Sequence, residues 1–598
     1  MAFNKNTRII CTLGPAIDSV DLIRLLIRNG MNIARFNFSH GTHQEHGTRI
    51  GLVREASRLE GIPVALLLDT KGPEIRTGTV RGDGKISLVH GASVDVLAES
   101  DTTALFGGDC VYADAQRLTV SYPGLADDVR PGARILIADG LIGLDVLAVE
   151  DRIIRCRVSN GGEIGSHKNV NVIGVKTRLP ALSEKDREDL LFGKEQDMDF
   201  VAASFIRKAA DVTGILKYLD GIACDMPVIA KIEDEEGLGN IEEIIRVSAG
   251  IMVARGDLGV QIPVERVPLE QKRIIGLCNL AGKPVITATQ MLESMIKNPR
   301  PTRAEAGDVA NAILDGTDCL MLSGETAVGA HPVAAVEVMY RIARTVEASA
   351  EYAHRLDDRR RDLETDDDIA HAIADAASRT ADRIGAAALV VPTLTGNTAR
   401  LISRHRPRRR IVAASPYEKV RRRLLLHWGV VPVSVNKEDD SEAMIQGSIA
   451  AAIREGYAQA LDKVVVVAGL PVNSPLMTNS IRVHVIGNVM GRGVKGFGGR
   501  CTGRIVKART LEAAALALRK DGGEILLTHT LDESFIPILR LVDGVILEGV
   551  SEMPWELIRM TNPRIVYVSQ LEHAMEVFEE NLTVTLDGNE KLVYEGSL

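Results

Sequence analysis

Eight short apolar runs, spread over the first 322 residues and mostly closed by polar groups, limit what this chain can fold into more than any other feature. They are Thr7–Leu13, Met31–Phe38, Pro63–Asp69, Phe200–Ala203, Val228–Ile232, Ile251–Ala254, Pro284–Ala288 and Cys319–Leu322. Short continuous apolar runs read as strands buried on both faces. Helix-like stretches separate them. One opens at Ser183-Glu-Lys-Asp, an N-cap with acids in the first turn. Eight such strand–helix repeats predict an α/β fold, a (β/α)8 TIM barrel.

The rhythm breaks once. Between residues 71 and 177 the runs are shorter and turns are Gly-rich, as at Asp139-Gly140 and Asn160-Gly161-Gly162. Such turns between apolar runs signal hairpins. The expectation is a catalytic barrel over 1–70 and 178–352, with an inserted small β-barrel domain over 71–177. Charged residues 355–368 then lead into α/β residues 353–488, with strands at 388–391, 411–414, 430–433, 464–468 and 483–486. The run Gly491–Gly499 reads by composition as a flexible linker over 489–499. Residues 500–598 form a further domain with strands of its own.

TIM barrels carry their chemistry at the C-terminal ends of the strands. Here those ends hold Arg35, Asn37 and Ser39, then Asp69 and Thr70, Ser204, Lys231 and Glu233, Asp257, Thr289, and Ser323 with Glu325. Lys231 and Glu233 alternate with Ile232, so they share one face of their strand. A lysine and a carboxylate there are costly to bury unless paired with each other, a metal or a substrate. The pair alone reads equally as a structural ion pair. Asp257 lies in Met252-Val-Ala-Arg-Gly-Asp-Leu-Gly, a turn whose free N–H groups attract an anion. Glu233 and Asp257 with substrate oxygens and water would suit Mg2+. A lysine beside such a metal suits phosphoryl transfer, where charge stabilisation dominates.

The totals exclude several other classes. Net charge is −9, from 71 basic and 80 acidic residues, which argues against nucleic-acid binding. The seven cysteines include no C-x-x-C pair, so a zinc site or disulfide framework is not expected. No apolar run has transmembrane length and the first residues lack a signal core, so a soluble cytoplasmic protein without membrane partners is expected.

Long motifs resemble the pyruvate kinase family: Lys231-Ile-Glu, Met252-Val-Ala-Arg-Gly-Asp-Leu-Gly, Thr287-Ala-Thr-Gln-Met-Leu-Glu-Ser-Met, Arg35-Phe-Asn-Phe-Ser-His-Gly, Asp69-Thr-Lys-Gly-Pro-Glu-Ile-Arg-Thr-Gly, Pro299-Arg-Pro-Thr-Arg-Ala-Glu and Leu322-Ser-Gly-Glu-Thr-Ala. They stand in family order over residues 5–487. The resemblance implies a glycolytic phosphotransferase in which phosphoenolpyruvate and ADP give pyruvate and ATP. It implies Glu233 and Asp257 as ligands of Mg2+ or Mn2+. It gives Lys231 and Arg35 to the phosphoryl group, Gly256 and Asp257 to the substrate carboxylate, and Thr289 to protonation of the enolate carbon, through water. Asn37, Ser39, Asp69 and Thr70 match a K+ site, and Glu74 goes with potassium dependence. Asn37, His40, Arg76 and Lys168 match ADP/ATP contacts; His40 equally reads as a barrel-end histidine with a structural hydrogen bond. The β insertion is then a lid.

Residues 353–488 resemble the family's regulatory domain. Thr393, Thr395, Gly396, Asn397 and Thr398 stand where an allosteric phosphate would bind, and equally read as a capped strand–helix turn. The short loop at Gly469–Asn479 points to a sugar or nucleoside monophosphate rather than fructose 1,6-bisphosphate. Residues 500–598 resemble the swivelling phosphohistidine domain of phosphoenolpyruvate synthase, but Val550-Ser-Glu-Met-Pro-Trp stands where its histidine would be. That leaves a packing or assembly role. The resemblance also implies a homotetramer. An enolate-forming aldolase on the same barrel would need neither the insertion nor the Lys231/Arg35 pair, and a silent paralogue would have lost a ligand.

Overall fold

The computed structural model describes residues 4–80, 84–106, 113–363, 368–471, 478–487, 489–518 and 524–596. It divides into two compact units. Met1–Arg379, Val391–Ser448 and Val467–Ser480 form the first; Thr380–Val390, Ile449–Val466 and Ile481–Leu598 form the second.

Eight strands of the first unit close into a parallel barrel: β1 (Arg8–Thr12), β2 (Ile33–Asn37), β3 (Ala65–Asp69), β4 (Phe200–Ala203), β5 (Val228–Ile232), β6 (Gly250–Ala254), β7 (Val285–Ala288) and β8 (Cys319–Leu322). Each pairs with its neighbour in sequence, and β8 returns to β1. The strands are buried almost throughout, with apolar side chains from strands and outer helices in one core. Local chemistry starts the helices. Thr42 with Glu45, Ser183 with Asp186, and Thr302 with Glu305 each form a reciprocal capping box.

The insertion leaves after β3 and returns before β4. Its seven-stranded sheet runs in the order Ile75–Arg76, Asn169–Ile173, Arg134–Ile137, Ile142–Glu150, Ile153–Asn160, Ser93–Ala98 and Arg117–Val120. A bridge between Thr77 and Val120 joins the two edges, so the sheet curls into a small barrel. Ala138, Asp139 and Gly140 take the left-handed conformation and make the expected hairpin. The second expected hairpin turn is corrected. Asp151 and Arg152 turn the chain, while Asn160–Gly162 hands it on to a separate pairing with Ile86–Leu88. Both chain crossings are fastened to the barrel frame. Asp186 accepts the Gly72 N–H at 3.1 Å, and Arg207 donates to the carbonyls of Thr177 and Leu179 at 2.8 and 2.6 Å.

The α/β sheet runs Val430–Ser434, Arg410–Ser415, Ala388–Pro392, Lys463–Ala468, Ser480–Val485. The charged stretch before it is a helix, Ala350–Asp362. The tail forms an eight-stranded sheet in the order Val489–Arg492, Leu592–Glu595, Thr583–Asp587, Arg500–Lys507, Glu524–Thr528, Gly544–Leu547, Val566–Ser569, Lys495–Phe497. The Gly-rich stretch is therefore not a linker: 489–492 and 495–497 are the two edge strands of this sheet. All but the last of its glycines answer to crowding. A Cβ on Gly496 would stand 2.5 Å from the Gly588 carbonyl oxygen, and one on Gly493 would stand 2.4 Å from Val568.

Candidate active site

Strand alternation brings six polar groups of the first unit together at the C-terminal end of the barrel. Asp69, the last residue of β3, is fully buried and is their centre. Arg35 from β2 donates to Asp69 through Nε at 2.6 Å and to Thr12 Oγ1 through Nη1 at 2.8 Å. Lys231 from β5 reaches the other Asp69 oxygen at 3.0 Å, Glu233 at 3.0 Å and Ser204 Oγ at 2.7 Å. Ser204 also donates to the Thr70 carbonyl at 2.7 Å. Glu233 accepts the Phe205 N–H at 2.5 Å.

The charges tune one another. Burial pushes the Asp69 carboxyl up, but Arg35 and Lys231 outweigh it and hold the group below the usual range. Burial disfavours the Lys231 ammonium, yet Asp69 and Glu233 raise it well above its ordinary value. Glu233 and Asp257 are both pushed up, chiefly by burial and against the pull of Lys231. Two desolvated carboxylates beside one lysine form a set that a divalent cation would complete. Among the described residues no group of three or more His, Cys, Asp or Glu could hold a metal. A cation at Glu233 and Asp257 would thus need oxygens from elsewhere, as Mg2+ does when substrate and water fill its shell.

Asp257 and Gly256 lie in the short helix Arg255–Gln261 after β6. Thr289 after β7 stands with φ +67°, a strained conformation for a β-branched residue. Its hydroxyl accepts the Gly256 N–H at 2.7 Å and donates to the Ala288 carbonyl at 2.7 Å. Arg255, paired with Asp308 at 2.7 Å, donates to the Thr289 carbonyl at 2.7 Å. This clamp fixes the backbone on which Thr289 stands. A cavity of about 330 Å3 adjoins Asp257 and is lined from the insertion by Glu74 and Asn171 and from the barrel by Phe205, Asp234 and Gln261.

The comparisons with known proteins decide the family. The family model "Pyruvate kinase, barrel domain" matches residues 4–336, and "Pyruvate kinase, alpha/beta domain" matches 371–484. The chain belongs to the pyruvate kinase family. It is 44% identical to a pyruvate kinase of Geobacillus stearothermophilus and 41% identical to one of Staphylococcus aureus, over 99% of each chain. A solved pyruvate kinase from Cryptosporidium parvum superposes with a TM-score of 0.75 at 39% identity, covering 81% of this chain and 97% of its own. The enzyme is a phosphotransferase that moves the phosphoryl group of phosphoenolpyruvate to ADP, giving pyruvate and ATP.

Other candidate residues lie apart from the Asp69 centre or are differently engaged. Asn37 Oδ1 accepts the Ser39 N–H at 3.1 Å. The His40 ring is exposed, and its carbonyl accepts from His46 at 2.8 Å. Glu74 pairs with Arg76 at 2.6 Å. The Lys168 side chain is exposed, while its backbone pairs with Thr77. In the α/β region, Thr393 accepts the Gly396 N–H at 2.8 Å and Thr398 bonds Thr478 at 2.7 Å, leaving Thr395 and Asn397 on the surface. Residues 472–477 of the loop expected beside them lie outside the described residues. Glu325 is structural: its carboxylate accepts the N–H groups of Leu292 and Ser323 at 3.0 and 2.7 Å. Sequence reasoning gave no role to Thr12, Ser204 or Arg255. Ser204 and Arg255 were visible at strand ends, but only the fold reveals what they touch.

Proposed function

We propose that Lys231 and Arg35 neutralise the phosphoryl group as it passes from phosphoenolpyruvate to ADP. The observation carrying this reading is their common tether. Both cations are held on Asp69, at 3.0 and 2.6 Å, before any substrate arrives. Charge fixed in advance needs no reorganisation during reaction, which is where electrostatic catalysis gains most. Asp257 and Gly256 orient the substrate carboxylate. Thr289 holds the water that protonates the enolate carbon, because a threonine hydroxyl alone is a weak acid. Glu233 and Asp257 hold Mg2+ or Mn2+, which supplies positive charge to the phosphoryl oxygens. Asn37, Ser39, Asp69 and Thr70 offer the oxygen donors that suit K+, with Glu74 nearby as the mark of potassium dependence. Asn37, His40, Arg76 and Lys168 bind the nucleotide phosphates beneath a lid that excludes water.

The exposed Thr395 and Asn397, with Gly396 and the hydroxyls of Thr393 and Thr398 behind them, are the seat of a phosphorylated effector. The tail, 500–598, is a swivelling-type domain with a packing role, following the barrel (1–70, 178–352), the lid (71–177) and the regulatory domain (353–488). The enzyme is a cytoplasmic homotetramer, which light scattering on the purified protein tests. The deciding assay is pyruvate formation from phosphoenolpyruvate and ADP with Mg2+, first in K+ and then in Na+. Activity that falls strongly in Na+ is expected. Equal activity in both would discard the potassium site and keep the phosphoryl-transfer roles.

A further inference from the structure

The second unit holds a cavity of about 550 Å3 that takes no part in phosphoryl transfer. That volume lies within the range of small-molecule sites. Its floor is the antiparallel pairing of Lys495–Phe497 with Val566–Ser569, in which Lys495 stands opposite Ser569 and Phe497 opposite Tyr567. Alternation along each strand sets these four side chains on one face. The Phe497 and Tyr567 rings stack, with centroids 5.0 Å apart and planes 20° apart. Trp555, the first residue of the helix Trp555–Thr561, leans over Phe497 at 6.2 Å and 55°. The result is a wall of aromatic faces.

Polar groups converge on the same space. Ser551 and Ser569 line it next to Tyr567. Lys495 and Lys591 both line the cavity, Lys591 with its stem packed against Gly496. Among the described residues no carboxylate pairs with either lysine. A dianion in the cavity would accept charge-assisted hydrogen bonds from ammonium groups that have no other anionic partner. The aromatic wall favours a flat ring, by stacking and by burial of its faces.

We propose that this cavity binds a small aromatic phosphate, with its ring against Trp555 and Phe497 and its phosphate on Lys495 and Lys591. Ring and phosphate are both required. A bare phosphate leaves the wall wet, and a neutral ring leaves the two ammonium groups unpaired. The edge strand Lys495–Phe497 brings charge and ring into one site.

The chain supplies its own reporter. It has two tryptophans; Trp428 is buried, whereas Trp555 is 52% exposed at the cavity mouth. The test titrates the full-length enzyme with phenyl phosphate, with phenol and inorganic phosphate as separate arms, and reads tryptophan fluorescence. Phenyl phosphate is expected to give a saturable change and to bind at least about tenfold tighter than either arm, as the loss of one charge-assisted contact implies. Lys495→Ala and Lys591→Ala are each expected to weaken binding by about tenfold while leaving pyruvate formation and the melting temperature unchanged. Absence of a saturable change in the folded enzyme overturns the proposal. So does unaltered affinity in the Lys495→Ala/Lys591→Ala variant, or inorganic phosphate binding as tightly as phenyl phosphate.

Discussion

Replacing Lys231 by methionine keeps the length of the side chain and removes its charge. The structure sets the size of the effect. Lys231 loses contacts to Asp69 and Glu233, both at 3.0 Å, and to Ser204 at 2.7 Å. Breaking a buried ion pair costs about 3–5 kcal/mol because an uncompensated charge stays behind. Asp69 keeps Arg35 at 2.6 Å, so the low end of that range is expected for Lys231→Met, and the protein stays folded. Catalysis should suffer more. Loss of one preorganised group facing the developing charge lowers kcat by about 10²–10³. A group that acts in the transition state lowers kcat and kcat/KM together, whereas one that only binds substrate raises KM. The assay is steady-state pyruvate formation at saturating ADP and Mg2+ over a phosphoenolpyruvate series, with circular dichroism melting as the folding control. A folded Lys231→Met enzyme whose kcat stays within roughly threefold of the parent, or whose whole loss lies in KM, would refute the role assigned to Lys231.

Two further outcomes concern the rest of the chain. Gly496→Ala places a Cβ 2.5 and 2.9 Å from the carbonyl oxygens of Gly588 and Tyr567, so the tail should lose about 1–3 kcal/mol, seen as faster amide exchange in 489–596. Gly499→Ala meets nothing within 4 Å and should be neutral; equal behaviour of the two variants would restore the linker reading. His405, buried with its Nε2 lacking a partner, is pushed down to about 4 by burial, opposed by Asp375. The folded state then binds fewer protons than the unfolded chain below the ordinary histidine value. Its contribution is complete above that value and is lost as pH falls toward 4, by about 3 kcal/mol in all. His405→Gln should flatten the melting curve against pH between 6.5 and 4; parallel curves for the two proteins would exclude His405 as the source.

The barrel was legible because a strand buried on both faces must be apolar along its length and polar only where it ends. All eight runs became strands, with ends shifted by at most two residues. The grouping of Arg35, Asp69 and Lys231 followed from the same rule, since strand ends of one barrel converge. Less legible were features that depend on what a side chain meets after the chain has closed. Glu325 stands in a motif and looks catalytic, yet it serves the backbone of two loops. Arg255 sits beside the Gly256–Asp257 turn, but its hold on Thr289 follows from Asp308, which lies 53 residues later. Gly491–Gly499 shows the opposite failure. Glycine composition reads the same whether it serves flexibility or contact, and only the neighbouring backbone distinguishes them.

The fastening of the insertion at Gly72 and at Thr177–Leu179 defines where its chain parts from the barrel. Asp186 and Arg207 belong to the barrel side, so both crossings are held to the barrel before the strands of the insertion begin and after they end. Glu74 and Arg76 lie close to the first tether. Asp139 lies farther out, at the tip of a hairpin, yet its negative charge is among those that raise Asp257. A carboxylate of the insertion is thus felt electrically at a carboxylate of the barrel, so the two parts share one field at Asp257 although their chains meet only at the crossings.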